Sequence, residues 1–215
     1  MSFEYRRISI MKRYFITGIG TEVGKTISSA VVTEALKADY WKPVQAGDLQ
    51  KSDSMTVKAL VQNNQSVFHS EDYRLNHAMS PHAAAERDGL EIDLSTIKMP
   101  NTNNILVIEG AGGLLVPLNR KDTMIDLIVQ LKCEVILVSR HYLGSINHTL
   151  MSINILKRKK IAIKGILFNG NENKDTECII EEMSGIKIIG RINQLENINS
   201  VIIKSEANRL KESLK

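Results

Sequence analysis

No run of about 18 consecutive apolar residues, the length a membrane-spanning helix needs, occurs in this 215-residue sequence. The opening segment lacks an apolar signal core as well, because Met1 to Ile10 carries Glu4, Arg6 and Arg7 among its few apolar residues. Both absences predict a soluble cytoplasmic chain without a membrane partner. Cysteine is scarce: Cys133 and Cys178 lie far apart, without the paired spacing of a metal site or a disulfide framework, and read as ordinary core thiols. The histidines, His69, His77, His82, His141 and His148, show no metal-ligand spacing such as His-x-x-x-His. Charge of one sign is also lacking. With 28 basic and 24 acidic residues the formal charge is only +4, a weak ground for a nucleic-acid partner. The densest basic run, Lys157-Arg158-Lys159-Lys160, has no aromatic residues interleaved, and reads as a helix C-terminus whose carbonyls attract cations. Internal repeats and low-complexity tracts are absent.

What is present is a chain that is 43 % hydrophobic and long enough to bury one substantial core. Apolar runs bounded by turn or charged residues predict buried parallel strands at Tyr14 to Thr17, Ile105 to Ile108, Val135 to Val138 and Ile161 to Phe168, with shorter strands at Tyr40 to Val44 and Ile186 to Ile189. Apolar residues at three- and four-residue spacing predict helices at Lys25 to Lys37, Ser52 to Gln62, Met124 to Leu131, Ser145 to Lys157 and Asp175 to Met183. Strand and helix in alternation predict an α/β fold with a doubly wound, mostly parallel sheet, one domain over residues 11–215, and ligands beyond the carboxyl ends of the strands. Residues 1–10 read as an N-terminal extension, either a loose tail or a product of start-codon choice. The segment from Gln62 to Pro100 is the least regular, either a binding loop or a solvated excursion, with a possible helix from Ala83 to Asp88.

The strongest chemical signal is Gly18-Ile19-Gly20-Thr21-Glu22-Val23-Gly24-Lys25-Thr26, a full Gly-x-x-x-x-Gly-Lys-Thr phosphate loop between a predicted strand and a predicted helix. Its N–H groups and the helix N-terminus can face a polyphosphate. Lys25 then reaches the outer phosphates, and the Thr26 hydroxyl holds magnesium. The second signal is a strand, Ile105 to Ile108, that ends in Glu109 and runs into Gly110-Ala111-Gly112-Gly113. Glu109 is placed to bind the same magnesium, or is a polar strand end followed by a turn. Lys42, in Trp41-Lys42-Pro43-Val44-Gln45-Ala46-Gly47, either neutralises a transferring phosphoryl group or is a solvated strand lysine. Asp53 is a third magnesium ligand, or with Ser52 a helix N-cap.

These segments, together with Leu143-Gly144-Ser145-Ile146-Asn147-His148, stand in the order seen in dethiobiotin synthetases, and the chain from Met11 to about Leu195 resembles that family. The resemblance implies a phosphate-loop NTPase fold and a reaction of ATP, carbon dioxide and 7,8-diaminononanoate that gives dethiobiotin, ADP and phosphate through a carbamate and a carbamic-phosphoric anhydride. It further implies that Lys42 is the active-site lysine, helped by Lys25 and Thr21. Thr26, Asp53 and Glu109 surround magnesium, and Glu22, Val23, Gly24, Lys25, Thr26 and Ile27 line the nucleotide with Asp53, Glu109, Gly110, Ala111 and Gly112. Asn169, followed by Gly170, reads the adenine. Lys42 and Ala46 meet the substrate, and a homodimer brings Leu143, Gly144, Ser145 and Asn147 of one subunit to the substrate carboxylate held by the other. Three departures are visible: Gly170 replaces an acidic residue, Ala46 replaces a small hydroxyl residue, and Ile192-Asn193-Gln194-Leu195 lacks the family's proline and aromatic neighbour. Two rivals share the phosphate loop. A partitioning or septum-positioning ATPase would carry a second lysine early in the loop, where Gly20 stands. A related ligase acting on another acid would need a glutaminase domain if its ammonia came from glutamine.

Overall fold

The structure, a computed structural model, describes residues 11–214, so the extension proposed at residues 1–10 lies outside the described residues. Along the chain run β1 (Arg13–Gly18), α1 (Lys25–Leu36), β2 (Asp39–Trp41), β3 (Val44–Ala46), α2 (Asp53–Leu60), β4 (Phe68–His69), β5 (Tyr73–Leu75), α3 (Pro81–Arg87), β6 (Leu106–Gly113), α4 (Met124–Leu131), β7 (Glu134–Ser139), α5 (Ser145–Arg158), β8 (Ile163–Asn169), α6 (Lys174–Ser184), β9 (Ile188–Ile192) and α7 (Ser200–Leu214). Among the described residues no helix is long and apolar enough to cross a membrane.

Seven strands form one sheet in the order β4-β2-β6-β1-β7-β8-β9, and every pairing in it is parallel. Alternation along each strand sends side chains to two separate cores. Phe15, Trp41, Ile108 and Leu137 pack on one face against α4, α5 and α6. Tyr14, Ile16, Tyr40, Val107 and Ile136 pack on the other against α1, α2 and α7. The order reverses at β1, which lies between β6 and β7, so a crevice opens beyond its carboxyl end. The doubly wound α/β architecture expected from the sequence is therefore present.

Several local expectations need correction. The strand expected over Tyr40 to Val44 is broken: β2 ends at Trp41, and Pro43, which has no N–H to give to a ladder, turns the chain out of the sheet. The Pro43 carbonyl instead accepts from the N–H groups of Asp72 and Tyr73, and β3 pairs in parallel with β5 as a separate two-stranded sheet. The irregular segment thus contains β4, β5 and α3. The glycines after Glu109 are not a turn, because β6 continues through them to Gly113, pairing with Gly18 of β1. The strands expected to start at Ile161 and Ile186 each start two residues later, and a C-terminal helix absent from the sequence reading, α7, buries Ile203, Ala207, Leu210 and Leu214. Cys133 is buried as expected, but Cys178 is exposed on α6.

Candidate active site

The phosphate loop fills the crevice beyond β1. Gly24 sits at φ +94, a left-handed conformation that favours glycine, and α1 begins at the next residue with no side chain capping it. Its first N–H groups therefore stay free for an anion. Lys25 arches back over the loop, its Nζ donating to the Gly20 carbonyl at 2.9 Å. Burial pushes the Lys25 ammonium below its ordinary value, with Lys42 adding to the effect and Glu109 opposing it.

Register explains how the distant residues meet. Ile16 of β1 lies beside Glu109 of β6, and on the far side of β6 the last two residues of β2, Tyr40 and Trp41, pair with Val107 and Ile108. Period-two alternation then puts Tyr40 and Lys42 on the same face as Glu109. Both reach it: the Tyr40 hydroxyl donates to Glu109 Oε2 at 2.9 Å, and Lys42 Nζ lies 3.3 Å from Oε1. Lys42 is only 3 % exposed, so the solvated-lysine alternative does not hold.

Asp53 arrives from the start of α2. Ser52 caps that helix, accepting from the Met55 N–H at 3.3 Å, which leaves the Asp53 carboxylate free to face the loop. The Asp53 N–H donates to the buried Gln45 amide oxygen at 3.2 Å. Asp53 Oδ2 lies 2.9 Å from Lys42 Nζ. The Thr26 hydroxyl lies 2.7 Å from Asp53 Oδ1 and 3.0 Å from Glu109 Oε1. Burial alone would lower the Lys42 pKa, but Glu109 and Asp53 outweigh it and hold the ammonium above its ordinary value. Conversely, burial would raise the Asp53 carboxyl, while Lys42 and Thr26 hold it below the usual range. Lys42 is thus kept charged next to the phosphate loop.

A cleft of about 700 Å³ joins these groups, and besides Lys25, Thr26, Lys42, Asp53 and Glu109 it is lined by Thr21, Glu22, Gly24, Ile27, Ala46, Ala111 and Gly112. Ala78, Met79, Ser80 and Pro81 close one side, which gives part of the irregular segment a place at the site. Val23 and Gly110 do not line it. Val23 is buried, and a Cβ on Gly110 would come within 2.7 Å of the Phe15 ring. Asn169 does not line the cleft but packs against the loop, where its Nδ2 donates to the Val23 carbonyl at 3.1 Å. Gly170, at φ +105, follows it near Arg140 and Gln194. Leu143, Gly144, Ser145 and Asn147 lie outside the cleft, at the entry to α5. Gly144 rather than Ser145 is the N-cap there, and the Leu143 side chain is fully exposed. Tyr40, Gln45 and Asp48 are polar neighbours of the site to which the sequence pattern assigned no role. For Tyr40 the signal was the two-residue spacing to Lys42.

Thr26, Asp53 and Glu109 suit a hard divalent cation such as magnesium, since each directs an oxygen to one place. Among the described residues no cluster of three or more His, Cys, Asp or Glu side chains could hold a metal. A partial oxygen shell completed by phosphate and water is the usual magnesium arrangement, and it is what these three residues offer.

A family model described as an AAA domain matches residues 12–201. The ATP-dependent dethiobiotin synthetase of Christiangramia forsetii is 55 % identical over 94 % of this chain and 98 % of its own. That of Cytophaga hutchinsonii is 52 % identical over 93 % and 97 % respectively. Among solved structures, the septum site-determining protein MinD of Pyrococcus horikoshii, complexed with Mg-ADP, superposes with a TM-score of 0.62 at 15 % identity, covering 95 % of this chain and 94 % of that one, a likeness of fold alone. Identity above half over nearly the whole length, on a phosphate-loop fold with these charged groups converged on one cleft, leads to one assignment: the chain belongs to the ATP-dependent dethiobiotin synthetase family.

Proposed function

We propose that this protein is a cytoplasmic enzyme that uses ATP to carboxylate 7,8-diaminononanoate with CO2 and close the ureido ring of dethiobiotin. The observation that carries the reading is the buried Lys42 ammonium, held between Asp53 and Glu109 beside the phosphate loop. One substrate amine adds to CO2 and loses a proton, giving a carbamate. A carbamate oxygen forms a bond to the γ-phosphorus as the bond to ADP breaks, and the product is a carbamic-phosphoric anhydride. The second amine attacks the carbonyl carbon and gives up a proton as phosphate leaves, which closes the ring. The difficulty is bringing two anions together, and Lys42, Lys25 and the Thr21 hydroxyl lower that repulsion by holding the carbamate against the γ-phosphate. Thr26, Asp53 and Glu109 would hold magnesium, which neutralises charge on the phosphates. Glu22, Gly24, Lys25, Thr26 and Ile27, with Asp53, Glu109, Ala111 and Gly112, line the nucleotide, while Val23 and Gly110 hold the backbone behind it, and Asn169, with Gly170, meets the adenine. Ala46 touches the substrate through its backbone.

An assay of ADP formation tests this. ADP release should rise about 100-fold or more when 7,8-diaminononanoate and bicarbonate are both present, because the phosphoryl acceptor is the carbamate and no residue is assigned to position a water. The product should have the mass of dethiobiotin. Equal turnover without the diamine would support the regulatory-ATPase alternative, and a different product mass would favour a ligase for another acid.

We further propose a homodimer in which Leu143 to Asn147 of one subunit receives the carboxylate of substrate held by the other. The free N-terminus of α5 and the exposed Leu143 support this. Mixing a Lys42→Ala variant with an Asn147→Ala variant should then regain about a quarter of the wild-type activity. Half of the dimers would be mixed, and each would have one intact site. Activity that never returns despite proven subunit exchange would rule out sharing.

A further inference from the structure

Glu109 divides its two oxygens between different tasks. Oε1 faces the cleft, 3.0 Å from the Thr26 hydroxyl and 3.3 Å from Lys42 Nζ. Oε2 turns inward and accepts from the Tyr40 hydroxyl at 2.9 Å. Tyr40 is fully buried and Glu109 is 1 % exposed, so water does not compete for that contact. The phenol is itself held in place. Its strand, β2, is paired on both sides, by β4 and β6, and the Phe68 ring leans on it with centroids 6.1 Å apart.

We propose that Tyr40 sets the cation preference of the site by restricting Glu109 to a single ligating oxygen. The inference rests on the reading above that Thr26, Asp53 and Glu109 hold the magnesium ion. Magnesium takes six ligands in a strict octahedron and accepts carboxylates through one oxygen. Calcium takes six to eight ligands at longer distance and readily uses both oxygens of one carboxylate. A carboxylate whose second oxygen is tied to a buried phenol offers only the first mode, so the larger ion loses a ligand that the smaller one does not need. Tyr40 is therefore a positioning residue that acts through Glu109. In Tyr40→Phe the ring keeps its packing, while Oε2 is left buried without a donor, and the carboxylate turns so that both oxygens face the cation and the Lys42 ammonium beside it.

Calorimetric titration of Mg2+ and Ca2+, separately, into the full-length protein with saturating ADP tests the proposal without relying on turnover. In Tyr40→Phe the ratio of the calcium Kd to the magnesium Kd should fall about tenfold relative to wild type, chiefly through tighter calcium binding. A ratio unchanged in a folded Tyr40→Phe, whatever happens to its Tm, would make the contact purely structural and overturn the proposal. Glu109→Gln is the control on the underlying reading. It should weaken both cations, and if it weakens neither, the magnesium assignment fails independently of Tyr40. A measurement on the wild type guards against a variant that does not fold. The infrared carboxylate bands of the calcium-ADP complex that vanish in Glu109→Gln should have the wide splitting of one-oxygen ligation. The narrow splitting of two-oxygen ligation in the wild type would also overturn the proposal.

Discussion

Lys42→Ala should lower kcat by about 1000-fold while the Kd for ATP changes by less than about threefold. A buried cation aimed at developing charge contributes on that scale in the transition state, and the phosphate loop carries nucleotide binding without it. The contacts of Lys42 also predict a side effect. It is the ammonium nearest both carboxylates, at 2.9 Å from Asp53 and 3.3 Å from Glu109. In the wild type the folded Asp53 pKa is held below its unfolded value near 3.8. The associated stability is present above that value and is lost as the pH falls through the lower folded one. Removing Lys42 leaves burial less opposed and brings the folded Asp53 pKa back toward its unfolded value, so the loss of stability as the pH falls through 3.8 and below should become shallower in the variant. Steady-state kinetics with calorimetric ATP titration checks the first part, and acid unfolding followed by circular dichroism checks the second. Collapse of ATP binding with normal chemistry at saturation would show that Lys42 holds nucleotide instead.

The sequence made the phosphate loop legible because its chemistry is local: backbone N–H groups, one lysine and one hydroxyl supplied by consecutive residues. The long strands and most helices were legible for the same reason, since their periodicity needs no partner to be read. What was hidden depends on pairing across long separations. β4 and β5 are two and three residues long, too short for alternation to register. β5 exists because Pro43 diverts the chain and Val44 to Ala46 need partners. The α7 stripe of Ile203, Ala207, Leu210 and Leu214 is diluted by Lys204, Glu206, Arg209 and Lys211 and carries no motif. At the site, residue types suggested the polar groups, but only register shows that Tyr40 shares a face with Lys42 and Glu109. For Asp53 the cap reading falls away, because the residue that caps α2 is Ser52.

Gly24→Ala should raise the Kd for ATP by about 100-fold or more and destabilise the protein by roughly 2–4 kcal/mol. Two costs combine at this position. The backbone is at φ +94, a conformation that L side chains rarely adopt, and an added Cβ would lie 2.0 Å from Asn169 Nδ2 and 2.7 Å from its Cγ. Relief of the clash requires the Asn169 side chain to leave the loop, which breaks its 3.1 Å bond to the Val23 carbonyl. Relief of the strain requires a new path for the residue that ends the loop and opens α1, where the free N–H groups point. The two costs separate experimentally. Asn169→Ala in the same chain removes the obstructing amide but leaves φ unchanged, so the double variant should recover part of the lost Tm and little of the ATP affinity. Gly20→Ala is a contrast on stability alone, since its Cβ would meet nothing within 4 Å and its backbone is not left-handed. Its Tm without nucleotide should stay close to wild type. ATP affinity in Gly24→Ala within about threefold of wild type would mean that the loop adjusts freely. The fit of Gly24 against Asn169 would then have no part in nucleotide binding.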